Sequence, residues 1–314
     1  MSVQDIWIKS PADLTEYSRE FVNYQPVKDY IVKDSSVTSI STFSKIPENG
    51  NIPADSPNPG FKQTYTQSFF AGMLRITRPM WRYGIEARSL ESLVVELKND
   101  ALRFKETVLT NMLNNATSTS YTETAGKYSY TVTNTGGDSV AFESASHTRE
   151  DGGTNWSNVI SDGTTNNMSF DYPAWKAARK TAKAILGGVG EILDIKLSDL
   201  IFKSESAAHH RAQEVLKSIK EGVRPGTANR DGSIDTSYGI IETPYLTSAT
   251  AWGAIDKSKL GPKFGLQLKE GMPLTIDPQF IDYDTKEFKY SAGMDFAYGF
   301  NDVRNHLWST GLNS

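Results

Sequence analysis

The chain has 314 residues, long enough to bury a sizeable core and to suggest about two domains. With 38% hydrophobic and 22% charged residues it is neither disordered nor membrane-like, and no unbroken apolar run reaches the length of a membrane span. A net charge of −4 without a run of one sign argues against a dedicated nucleic-acid binder, and the absence of cysteine excludes disulfides, thiolate metal sites and cysteine nucleophiles. No basic segment precedes an apolar one near the N-terminus, so no secretory signal is expected, and a cysteine-free chain fits a cytosolic origin.

In chain order, residues 11–24 predict a short helix, with Ser10 as cap, Pro11 in the first turn and Leu14, Tyr17, Ser18 and Phe21 on one side. A strand-like piece runs from Tyr30 to Phe43. Four prolines among residues 44–60 preclude a regular element. The following stretch, with Phe61, Tyr65, Gln67, Phe69 and Ile76, reads as strand. Residues 41–82 together form a loop-and-ribbon arm. A lone two-stranded ribbon is marginal in water, so this arm needs a surface to lie on. Arg75, Arg78 and Arg82 cluster with Trp81 and Tyr83 at its root.

The clearest helix starts near Ser89. Leu90, Leu93, Val94, Leu97, Ala101, Phe104, Val108 and Met112 recur at three- and four-residue steps as one apolar stripe. Ser89 is its expected cap, and Glu96, Lys98, Asp100, Arg103, Lys105 and Glu106 its expected outer face. Alternating Tyr128, Tyr130 and Val132 follow. Asp171 caps a second helix, expected to stop at Gly187-Gly188. "LSDLIFK" reads as a buried strand, and "SAAHHRAQEVLKSIK" as a third helix stopped by Gly222 and Pro225. Residues 239–247 and 251–256 read as strands. From Phe288 to Phe300, aromatic and apolar residues alternate with mostly polar ones as a half-buried strand, with a bend expected at Gly293. Scattered strands and separated helices make an α+β fold.

The search for chemistry is negative. "GGVG" at 187–190 follows a helix and lacks the Lys-Ser/Thr ending of a phosphate loop. No nucleophile elbow exists, and the 4 histidines show no zinc-protease spacing. His209 and His210 are adjacent on a helix and point about 100° apart. His147 and Glu150, in "SHTREDGGTNWSN", are half of a possible metal-dependent hydrolase site. The alternative gives His147 and Trp156 the job of holding a turn made by Gly152 and Gly153. Asp277, Asp282 and Asp284 read as turn residues.

This order of parts resembles the major capsid protein of tailed bacteriophages, the Hong Kong 97-type shell subunit. Residues 1–40 resemble its N-terminal arm and the start of the peripheral domain, and residues 41–82 its extended loop. Residues 83–164 resemble the peripheral domain, where "SLESLVVELKNDALRFKETVLTNML" looks like the spine helix. "LSDLIFKSESAAHHRAQEVLKS" and "ETPYLTSATAWGAID" place an axial domain at 165–274. "FKYSAGMDFAYGFNDVRNHLW" resembles the returning strand of a C-terminal segment, 275–314. Thr148 departs from the proline that often follows the family's histidine.

The resemblance implies a non-enzymatic subunit without cofactor or metal. It would assemble into hexamers and pentamers of an icosahedral shell around phage DNA, which it touches weakly and non-specifically. The shell would be assembled in the host cytoplasm. Scaffolding and portal proteins are implied as partners, with a decoration protein in some relatives, and no membrane. Because the chain begins at Met1 without a helical extension, a separate scaffolding protein is expected. An encapsulin-like cellular compartment shares the expected fold. Phe61, Tyr65, Phe69 and Trp81 are expected to bury against neighbouring subunits, and Arg75, Arg78 and Arg82 to pair with their carboxylates. Lys45 and Lys62 lie where some relatives cross-link, but no partner asparagine or catalytic acid matches, so no cross-link is expected.

Overall fold

In a computed structural model the described residues are 7–8, 14–37, 45–52, 59–83, 87–220 and 238–311. Fold construction starts from the long strand β12 (Phe288–Phe300), whose even residues Tyr290, Ala292, Met294 and Phe296 are buried. It pairs antiparallel on one side with β4 (Ser68–Ile76) and on the other with β10 (Leu266–Ile276) and the short β11 (Phe280–Ile281). β1 (Val22–Pro26) closes the sheet, running parallel to β10.

The even face of β12 is covered by the long helix α2 (Ala87–Asn114), which follows a single-turn helix, α1 (Arg78–Tyr83). At 28 residues α2 spans about 42 Å. Its apolar stripe packs as the spacing demands: Phe104 meets Phe70 with ring centroids 5.1 Å apart, and Phe70 in turn stacks on Phe296 at 4.5 Å. Ser89 lies inside the helix, not at its cap.

Two residues assigned to the outer face are buried. Lys105 and Glu106 are covered by a 3-10 turn at Tyr17–Glu20, where the Glu106 carboxylate accepts from the Ser18 N–H at 2.9 Å and hydroxyl at 2.5 Å. Lys105 reaches Glu16 at 3.4 Å. A helix predicted over 11–24 is thus replaced by a turn and β1. Val22 to Pro26 take the extended form because β10, 244 residues away, supplies the ladder. Ser10 and Pro11 lie outside the described residues.

A second sheet has the order β13-β9-β7-β8, from His306–Ser309, Trp252–Ile255, Asp199–Lys203 and Gly239–Thr243. α3 (Tyr172–Ala184) and α4 (Ala207–Lys220) accompany it. Asp171 caps α3, accepting from the Tyr172 N–H at 2.7 Å. α3 ends at Ala184, before the expected double glycine. Ile185 is already extended, and Leu186 bridges Ile192 so that residues 187–190 form a tight turn. The stop expected for α4 at Gly222 and Pro225 lies outside the described residues. The strands expected over 239–247 and 251–256 are present in shorter form as β8 and β9.

Two antiparallel ribbons complete the architecture: β2 (Ile31–Val37) with β3 (Pro59–Thr66), and β5 (Ser120–Ala125) with β6 (Tyr128–Thr133). The first ribbon therefore starts ten residues before the expected position 41, and β4 belongs to the main sheet. One apolar cluster runs through both sheets, from Leu109 and Phe142 through Phe300 and Trp308 to Trp252 and Trp175.

Candidate functional site

The sheet around β12 has one face open. Phe70, Leu74 and Ile76 turn toward α2, so strand alternation turns Phe69, Ala71, Met73 and Arg75 the other way. Phe69 is 63% and Met73 58% exposed, large values for apolar side chains on a paired strand. The register extends this face: Arg75 pairs with Lys289, which pairs with Phe280, and residues directly across strands share a face. Phe280 is 60% exposed. A Cβ on Gly293 would lie 2.7 Å from the Phe69 ring, so glycine there seats the phenyl group on the sheet. A register irregularity in β10 between Met272 and Thr275 lies beside the Gly293 pair.

Cations flank the apolar patch. Arg75 reaches only Glu287, at 3.9 Å, and Arg78 and Arg82 of α1 are exposed without an ion-pair partner among the described residues. Trp81 lies in α1, and its side chain is outside the described residues. Phe69, Arg75, Arg78 and Arg82 therefore lie on open surface, as a contact role requires.

Phe61 and Tyr65 do not. Alternation turns Phe61, Gln63 and Tyr65 to the inner face of their ribbon, toward the body of the same subunit. Tyr65 is 2% exposed, packed against Gly299, and burial, then the nearby Asp34 charge, pushes its phenol pKa up. Phe61 sits half-buried against Gly137, and Gln63 donates to the Thr135 carbonyl at 3.2 Å. The expectation that Tyr65 buries against a neighbour is corrected: its ring is already covered at home. Lys62 points outward.

The histidine-rich candidates resolve into structural contacts. His147 Nδ1 lies 2.8 Å from Asp138 and Nε2 3.2 Å from the Asn158 Oδ1, while its ring stacks on Trp156 at 4.4 Å. Backbone bonds between His147 and Trp156 run in both directions, at 2.8 and 3.0 Å. Gly152, with φ 71°, turns the loop between them. The Glu150 carboxylate is held by buried Arg304 at 2.8 Å, which also binds Asp302 at 2.6 Å. Both halves of the His147–Glu150 pair are thus engaged by the fold.

A cluster that the sequence spacing hides joins Glu205, His209 and Glu242, whose donor atoms lie within 4.8 Å of one another. His209 is buried and its Nε2 faces Glu242 at 3.0 Å and Gln213 at 2.9 Å; Glu205 is exposed. Its Nδ1 has no hydrogen-bond partner among the described residues, whereas a metal-bound imidazole usually anchors its second nitrogen. The cluster joins α4 to β8 through the His209–Glu242 contact.

Comparison with known proteins accounts for this pattern of open surface without catalytic machinery among the described residues. A model of the phage capsid protein family matches residues 62–306. No curated protein sequence matches the chain. Among solved structures, the capsid of the cyanophage P-SCSP1u is similar over 100% of this chain and 95% of its own, with TM-score 0.57 and 11% identity. The capsid of an empty GTA particle covers 96% of this chain and 91% of its own, with TM-score 0.54 and 10% identity. The Mycobacterium phage Patience structure covers 93% and 82%, with TM-score 0.52 and 11% identity. At such identities these similarities establish the fold, and the family match covers most of the chain. The chain belongs to the phage capsid protein family: it is a structural, self-assembling subunit of an icosahedral shell, with an α+β fold related to that of Hong Kong 97-type capsids.

Proposed function

We propose that this subunit is the major head protein of a tailed phage and that its shell encloses genomic DNA. In this reading α2 is the spine of a peripheral domain, the four-stranded sheet with α3 and α4 forms the axial domain, and β2–β3 is the extended loop. The observation that carries it is the open sheet face, where Phe69, Met73 and Phe280 stand exposed beside Arg75. Exposed apolar groups rimmed by cations mark contact surface. Repeated under closed symmetry, one such surface serves every subunit. Scaffolding and portal proteins are the proposed assembly partners in the host cytoplasm, with a decoration protein on the outside.

Expression followed by negative-stain microscopy tests the reading. Closed particles with nuclease-protected DNA are expected when the phage packaging genes are present. Particles filled with a host enzyme would instead identify a cellular compartment. Arg78→Glu should leave a soluble, folded subunit and abolish shells. Normal particles from that variant would remove Arg78 from the contact surface.

A further inference from the structure

Lys269 lies in the middle of β10 with its side chain fully buried. Its ammonium contacts three elements of the same chain. It lies 2.6 Å from Asp34 Oδ2 on β2, as an ion pair without the alignment of a hydrogen bond. It donates to Gln25 Oε1 on β1 at 2.5 Å and sits 5.3 Å from the centre of the Tyr65 ring on β3. A buried ammonium is costly unless paired, and removing one partner leaves an uncompensated charge. The docked ribbon supplies two of the three groups that satisfy it.

The ribbon needs such a device. Two strands alone are marginal, so the angle at which they leave the body is set by contacts at their base. Phe61 on Gly137 and Tyr65 on Gly299 are close apolar approaches that tolerate sliding. An ion pair flanked by an aromatic face and an amide is directional, because small rotations separate the charges in a poorly solvated place. We propose that Lys269 is the positioning residue of the ribbon: held between Asp34, Gln25 and Tyr65, it sets the angle of β2–β3 on the body and so the geometry in which copies of the chain meet. This rests on the shell reading above, but the latch itself is measurable on the unassembled subunit.

The absence of cysteine makes the measurement clean. Spin labels on Lys62→Cys, exposed on the ribbon, and Asp100→Cys, exposed on α2, report the ribbon angle by dipolar spectroscopy. The parent sequence should show one narrow distance. Asp34→Asn and Lys269→Met should broaden it and raise amide exchange in β2 and β3 by about tenfold or more, because removing one partner of a buried ion pair leaves the other uncompensated and loosens what the pair holds. Asp34→Glu, which keeps the carboxylate, should restore much of the narrow distribution. In particles, the two latch variants should give a wider spread of shell diameters than the parent.

A distance distribution unchanged in both variants would overturn the latch. A broadened distribution with parent-like shells would overturn its link to shell geometry. If single variants fail to fold, Asp34→Leu with Lys269→Met removes both charges together and leaves none buried alone. That double variant should fold with a broadened distance, and a narrow one would again overturn the proposal. Failure of the parent itself to form shells would overturn the shell reading alone, since the distance measurement uses unassembled protein.

Discussion

Individual buried acids and histidines give the protein opposing responses to pH. Burial pushes the Glu143 carboxyl up to about 7 and Asp302 up to about 6, despite Arg304 beside the latter. A carboxyl raised in the folded state stabilises below its unfolded value, and that stability is lost as pH rises through the folded one. For Glu143 the window runs from the ordinary carboxyl value of 4.5 to about 7. His306 acts in the other direction. Burial holds it down at about 3 from 6.5, so its contribution is present above pH 6.5 and is lost as pH falls toward 3. Glu143→Gln isolates one of these. Its melting temperature should exceed the parent's at pH 8, where the parent must hold a buried carboxylate, and the gain should vanish near pH 4. Parallel melting curves at the two pH values would disprove the assignment. At this scale the sequence suggested what kind of work His147 and Trp156 do, since a histidine and a tryptophan on a glycine turn suggest a packed loop. It concealed their partners: Asp138 and Asn158 lie nearby in the chain but in irregular backbone that no periodicity describes, and Arg304 arrives from a distant segment.

Elements with strong local periodicity were legible. α2, α3, α4, β7 and β12 appear close to where three- and two-residue patterns place them. Where a tertiary partner overrides weak local preference, the pattern failed: β1 replaced a predicted helix, and the cover of residues 16–20 buried Lys105 and Glu106. The second half of α2 shows the energetic consequence. Leu109 and Leu113 are fully buried although they fall outside the stripe read from the sequence, because they join the apolar cluster that runs through both sheets. Leu109→Ala should destabilise the subunit by about 2–5 kcal/mol. Urea unfolding followed by tryptophan fluorescence will measure it, and a loss under about 1 kcal/mol would show that the site collapses around the cavity.

For the whole molecule, stability and assembly should separate by surface. Phe69 and Met73 contribute little to the isolated fold, since exposed substitutions usually change stability by less than about 0.5 kcal/mol. Phe69→Ser with Met73→Ser should therefore leave the melting temperature nearly unchanged while reducing particle yield sharply. Intact yield on sucrose gradients would show that this face stays uncovered in the shell. The sequence by itself determined the periodic helices α2, α3 and α4, the strands β7 and β12, and the lack of cysteine chemistry, because each depends on residues near one another in the chain. Only the tertiary structure decided that Tyr65 turns inward and Phe69 outward, that β1 joins β10, and that Lys269 meets Asp34. Those outcomes depend on the registry of segments up to 244 residues apart, and no local pattern encodes which face of a strand another segment will cover.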